Sequence, residues 1–232
     1  MRTMIGLATA FALVAFLPAY ADDAKPFIDE TVIDLTKILP APPPNDSAQT
    51  KQELAQVLAV QVTRTPEMVA RAQADGEEEV WRFADAVGPK FDKAALPKTA
   101  AFFERIAATE GAVVDPAKKI FNRPRPYLVS ELVQPVLEKT KSGAWPSGHA
   151  TVGTIMGIVL SNMLPEKRDV IMARAREFGE NRVVAGMHLP MDIEEGRIAG
   201  SVIAATIMQR DDFKSEFEAA RTELRAALGL SS

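Results

Sequence analysis

Apolar residues recur along most of this chain at helical intervals. Leu54, Val57 and Leu58, and later Val80, Phe83, Ala84 and Val87, repeat every three or four positions, which predicts amphipathic helices. Two longer apolar runs, about 148–164 and 191–208, predict helices buried on most of their faces. Start signals accompany the pattern. Asp46 with Gln49 fits a capping pair, and Thr65-Pro66 and Asp115-Pro116 each set a capping residue before a proline at the first helical position. Gly76 and Gly88-Pro89 punctuate the segments, and Gly153 with Gly157 predicts close contact between helices. No stretch of useful length alternates as a strand would, and no internal repeat is present. The expected fold class is all-α, a single-domain helical bundle.

The first residues read as an export signal. Arg2 is a positive n-region, Ile5 to Leu17 form an uncharged apolar run, and Ala19-Tyr20-Ala21 is a small-x-small cleavage site. The expected organisation is a signal peptide over 1–21, a stiff proline-rich arm over 22–46 containing Pro40, Pro42, Pro43 and Pro44, and a helical domain over 47–232. Beyond the signal, the longest uncharged stretch runs from Ala150 to Pro165, sixteen residues interrupted by Ser161 and Asn162. That is short for a bilayer span and fits a buried core helix. The expected location is the periplasm, without stable membrane insertion after signal cleavage.

Composition narrows the chemistry. Cysteine is absent, which excludes disulfides, thiol nucleophiles and iron–sulfur ligation. Lys and Arg number 27 against 31 Asp and Glu, a net charge of −4, so nucleic acid is not an expected partner. Histidine occurs only as His149 and His188. Each falls at an expected helix start. Ser147 suits an N-cap, and Gly148 lets a ligand approach backbone N–H groups that favour an anion. Pro190 suits the first turn of the next helix, placing Leu189 at the cap and Asp192 at the third helical position. From there its carboxylate reaches back towards His188. A carboxylate on one imidazole nitrogen fixes the tautomer and frees the other to attack. Lys118, Arg125 and Arg182 add cations. Two imidazoles, several cations and no soft or carboxylate metal cluster suit phosphate, whose transfer needs positioning and neutralisation of its oxygens.

The three clusters resemble the phosphatase motif of the type 2 phosphatidic acid phosphatase (PAP2) superfamily, K-x6-R-P, P-S-G-H and S-R-x5-H-x3-D. Lys118 with Arg125-Pro126 fits the first part only in that register. Pro146-Ser147-Gly148-His149 fits the second unchanged, and Arg182, His188 and Asp192 fit the third. The departure is Asn181, where the family has serine. Among members of this size, the chain resembles the class A bacterial non-specific acid phosphatases.

The resemblance implies the helical bundle of the PAP2/haloperoxidase type and hydrolysis of small phosphate monoesters. In that reading His188 attacks phosphorus to form a phosphohistidine, and Asp192 orients its ring. His149 protonates the leaving oxygen and then serves as base for water. Lys118, Arg125, Arg182, the Ser147 hydroxyl and the Gly148 N–H hold the phosphoryl oxygens. No metal and no cofactor are implied, inorganic phosphate or vanadate would inhibit, and a homo-oligomer is compatible. Trp145 and Tyr127 are candidates for the cavity mouth, with core packing as the alternative. The same motif also serves vanadium haloperoxidases, and a periplasmic phosphate-binding protein without turnover is the non-enzymatic alternative.

Overall fold

The computed structural model describes residues 24–231, so the proposed signal peptide lies outside the described residues. Helices follow in the order α1 (Ala48–Thr63), α2 (Pro66–Ala74), α3 (Ala84–Val87), α4 (Pro97–Phe121), α5 (Pro126–Val129), α6 (Gly148–Met163), α7 (Arg168–Val184), α8 (Pro190–Ile207) and α9 (Asp211–Leu228). No strand is present among the described residues. Helix α6 is the axis of an all-α bundle, with α7, α8, α4 and α9 packed around it. Val152, Ile155, Met156, Val159 and Leu160 are buried along it, each burial contributing roughly 1.5–3 kcal/mol before entropy is counted.

Small residues set the spacing between these helices. A Cβ at Gly157 would lie 2.6 Å from Ala175 Cβ on α7, and one at Gly200 of α8 would lie 2.5 Å from the Thr151 carbonyl oxygen on α6. The glycine pair of α6 is therefore a helix-contact feature. No helix among the described residues is long and apolar enough to cross a membrane.

Several local signals act where expected. Thr65 accepts a hydrogen bond from Met68 N at the start of α2. Ser147 accepts from Ala150 N at the start of α6, and Asp192 accepts from Leu189 N at the start of α8. The cap of α1 is Ser47, bonded by Thr50 N, one position beyond Asp46. Asp115-Pro116 does not begin a helix: Pro116 lies inside α4. Phe102, Phe103, Ile106, Val113, Val114 and Ala117 form one buried stripe through that point. Together they outweigh the roughly 3 kcal/mol that an interior proline costs.

Residues 24–46 lie against the bundle. Phe27, Ile28, Ile33, Leu35 and Leu39 join the main core, Phe27 N donates to Thr109 Oγ1 at 2.9 Å, and Trp145 Nε1 donates to Pro40 O at 3.1 Å. A smaller apolar cluster, including Val57, Tyr127, Val133 and Met187, supports the segment between α5 and α6.

Candidate active site

Both histidines, Lys118, Arg125, Arg182 and Gly148 line one cavity of about 540 Å3, together with the Gly76–Glu78 turn and residues of the segment between α5 and α6. They come from five helix ends, Gly148 and His149 sharing one. Lys118 lies in the last turn of α4, Arg125 at the N-cap of α5, His149 in the first turn of α6 and Arg182 in the last turn of α7, while His188 just precedes α8. The motif thus gathers the ends of five helices.

His188 is 1% exposed. Its Nδ1 faces Asp192 Oδ2 at 3.3 Å, and its Nε2 lies 2.6 Å from Arg125 Nη1. A guanidinium only donates, so Nε2 carries the lone pair and the proton resides on Nδ1, an assignment made from the partners. Burial, followed by the positive charges of Arg125, Arg182, Lys118 and His149, holds His188 well below the usual imidazole range. The ring is neutral.

Asp192 is fixed from behind. Arg123 Nη1 donates to Oδ1 at 2.6 Å and Leu189 N to Oδ2 at 2.7 Å, while Arg123 Nη2 donates to Glu53 Oε2 at 2.8 Å. Glu53 also accepts from Met191 N at 2.6 Å. Burial raises Asp192 to about 7, opposed by Arg123 and the Leu189 N–H. Three donors converge on its two oxygens, so the carboxylate is the form this cradle fits.

His149 has a different setting. Its Nδ1 faces Glu78 Oε1 at 2.7 Å and its Nε2 faces the Gly76 carbonyl oxygen at 2.9 Å. Both partners accept, so the ring satisfies both only by donating from both nitrogens, as imidazolium. Phe178 stacks on it, with ring centroids 5.7 Å apart. Burial works against the charge of half-buried Glu78, but His149, Lys118 and Arg182 outweigh it and hold the carboxyl down to about 2. The Gly76–Glu78 turn is anchored by buried Asp75, which accepts from Arg174 and, at 2.7 Å, from Asn181 Nδ2. Asn181 therefore has a role of its own where the motif carries serine.

The cations show what the cavity lacks. Arg182 is 5% exposed, yet its Nε and Nη1 have no hydrogen-bond partner. Burial, and then Arg125, lowers it to about 10, so it remains charged near neutrality. Lys118 Nζ has Asp115 at 3.7 Å as its ion-pair partner. Arg125 is also lowered, chiefly by burial, and is held by the Ser142 and Met187 carbonyls at 3.0 and 3.1 Å. Among the described residues, no group of three or more His, Cys, Asp or Glu has the arrangement of a metal site.

Other expectations fare differently. Ser147 is fully buried as the cap of α6 and does not line the cavity. Neither Trp145 nor Tyr127 reaches the mouth: the indole is buried, and the Tyr127 hydroxyl exchanges hydrogen bonds with the backbone of Thr140. Core and loop packing is the role of both. Conversely, Glu78, Asp75 and Glu53 lie outside the motif and Arg123 occupies one of its variable positions, so no spacing in the sequence marks them.

The PAP2 superfamily profile matches residues 101–215. An acid phosphatase of Zymomonas mobilis is 33% identical over 151 residues, covering 62% of this chain and 56% of that protein. The chain thus spans little more than half of that relative. A non-specific acid phosphatase of Salmonella typhimurium is 29% identical over 228 residues, covering 91% of each chain. Among solved structures, a transmembrane PAP2-type phosphatidylglycerolphosphate phosphatase from Bacillus subtilis matches with a TM-score of 0.53 at 16% identity, over 78% of this chain and 92% of that one. That likeness establishes the fold. The chain belongs to the PAP2 superfamily. Within it, the similarity to several acid phosphatases marks the protein as an enzyme of that type.

Proposed function

We propose that the protein is an exported phosphatase that hydrolyses small phosphate monoesters through a covalent intermediate on His188. The observation that carries this reading is the pair of buried, unpartnered Arg182 nitrogens in the same cavity as a neutral imidazole. An uncompensated buried guanidinium is costly, and a phosphoryl group supplies the acceptors it lacks.

The chemistry follows from the proton positions. Substrate phosphate draws Arg125 away from His188 Nε2, and the freed lone pair attacks phosphorus. The new N–P bond forms as the P–O bond to the alcohol breaks, while Asp192 holds Nδ1–H and balances the charge that develops on the ring. His149 gives its Nε2 proton to the departing oxygen, which takes the place of the Gly76 carbonyl as acceptor, and Glu78 retains Nδ1. Water then attacks the phosphohistidine, its proton passing to His149, and inorganic phosphate leaves. Lys118, Arg125 and Arg182 spread the oxygen charge in both steps, with the Gly148 N–H as a further donor, while Ser147 acts only as the cap that sets the start of α6.

The proposed organisation is a signal peptide over 1–21, a proline-rich arm over 22–46 and a helical acid phosphatase domain over 47–232, delivered to the periplasm. The purified protein should release phosphate from p-nitrophenyl phosphate and glycerol phosphate in excess chelator, and orthovanadate should compete. Absence of phosphate release from a panel of monoesters, or rescue only by an added divalent metal, would overturn the reading.

A further inference from the structure

Beside the catalytic groups lies a carboxyl that the proposed mechanism does not use. Glu110, in α4 two turns before Lys118, is 4% exposed, and its Oε1 has no hydrogen-bond partner. Its surroundings can be fixed from Gly148. A Cβ on that glycine would lie 2.7 Å from Glu110 Oε1, 2.9 Å from Lys118 Nζ and 3.2 Å from Glu78 Oε1. Three charged-group atoms thus crowd one point at the start of α6. The close neighbours of Glu110 are Lys118 and Asp115 on its own helix and Glu78 from the turn after α2, with His149 behind Glu78.

We propose that Glu110 is a positioning residue of the phosphate site: it stays uncharged beside Lys118, so that the ammonium is left unneutralised for the phosphoryl oxygens. The inference rests on the anion-binding reading of the cavity given above. Without a proton, Glu110 would complete a third carboxylate around Lys118 and set a negative charge against an incoming phosphate. With its proton, it fills the space beneath Gly148 at no electrostatic cost to the anion. Burial, reinforced by the nearby charges of Glu78 and Asp115, raises Glu110 to about 8, with Lys118 opposing. Glu78, fixed on His149, takes the charged role, and the two neighbouring carboxyls divide into one acid and one carboxylate. An unpartnered buried oxygen calls for such an explanation.

The test is calorimetric binding of inorganic phosphate to the full protein and to Glu110→Gln between pH 7 and pH 9. The ratio of wild-type to variant dissociation constants cancels the titration of phosphate itself. As Glu110 ionises, wild-type binding weakens while the permanently neutral variant is spared, so the ratio should rise by up to about tenfold across that range. Glu110→Asp, which keeps a titratable carboxyl, should show a wild-type-like decline. A merely structural role would change affinity without this pH signature. A flat ratio overturns the proposal. Loss of phosphate binding by both proteins at pH 7 would instead bring down the anion site and this inference together. A variant-free check is 13C NMR of Cδ-labelled glutamate, where one buried carboxyl should titrate near pH 8; titration of every glutamate below pH 6 would contradict it.

Discussion

The two histidines have the same kind of partner on one nitrogen and opposite kinds on the other. Each Nδ1 meets a carboxylate, Asp192 at 3.3 Å for His188 and Glu78 at 2.7 Å for His149. At Nε2, His188 meets a guanidinium donor and His149 a carbonyl acceptor. That single exchange of donor for acceptor makes one ring a lone-pair base and the other a proton carrier. The supports differ too. Asp192 belongs to a buried chain through Arg123 to Glu53, whereas Glu78 sits on a turn, half-exposed and tied down through Asp75. The His188 side of the pocket is locked, and the His149 side is set on a turn; in the proposed mechanism that turn yields its acceptor to the leaving group.

The largest effect should come from His188→Ala, which removes the proposed nucleophile and should lower kcat by at least about 10³-fold on aryl and alkyl phosphates alike. His149→Ala should divide substrates instead. Glycerol phosphate, with a strongly basic leaving oxygen, should lose about 10²–10⁴-fold in burst-phase rate, and p-nitrophenyl phosphate much less. Equal losses on both substrates would erase the distinction between the rings.

The supports can be broken separately. Arg123→Ala leaves Asp192 and Glu53 buried without their shared cation and should cost about 3–5 kcal/mol of stability by urea denaturation. Glu78→Gln should instead change the acid dependence of stability. Its carboxyl is held at about 2 in the folded protein, below the ordinary 4.5, so its contribution is present above pH 4.5 and disappears as pH falls towards 2. The variant should therefore lose less stability over that interval than the wild type. Asn181→Ser, the smallest change, removes the amide bond to Asp75 and should cost about 1–2 kcal/mol, with its kinetic effect on leaving-group dependence.

Much of this arrangement was legible in the sequence because it is local. The starts of α6 and α8 are written in Ser147-Gly148 and Leu189-Pro190 with Asp192, where cap and proline rules act within four residues. The supporting groups are not local. Arg123 reaches Glu53 across 70 positions and Asn181 reaches Asp75 across 106, and no periodicity records such pairings. Asp115-Pro116 misled for the opposite reason: a strong local signal lost to a buried stripe running through it. Trp145 stood beside the motif in sequence but not at the cavity, because its indole turns towards Pro40.

The most direct test of the division between the rings is to trap the proposed phosphohistidine. Wild-type protein mixed with 32P-labelled p-nitrophenyl phosphate analogue and quenched in alkaline denaturant should carry label that survives alkali and is lost in acid, located on the peptide containing His188. His149→Ala should retain that label and His188→Ala should carry none. Label on His149, or turnover with a burst in His188→Ala, would contradict the account.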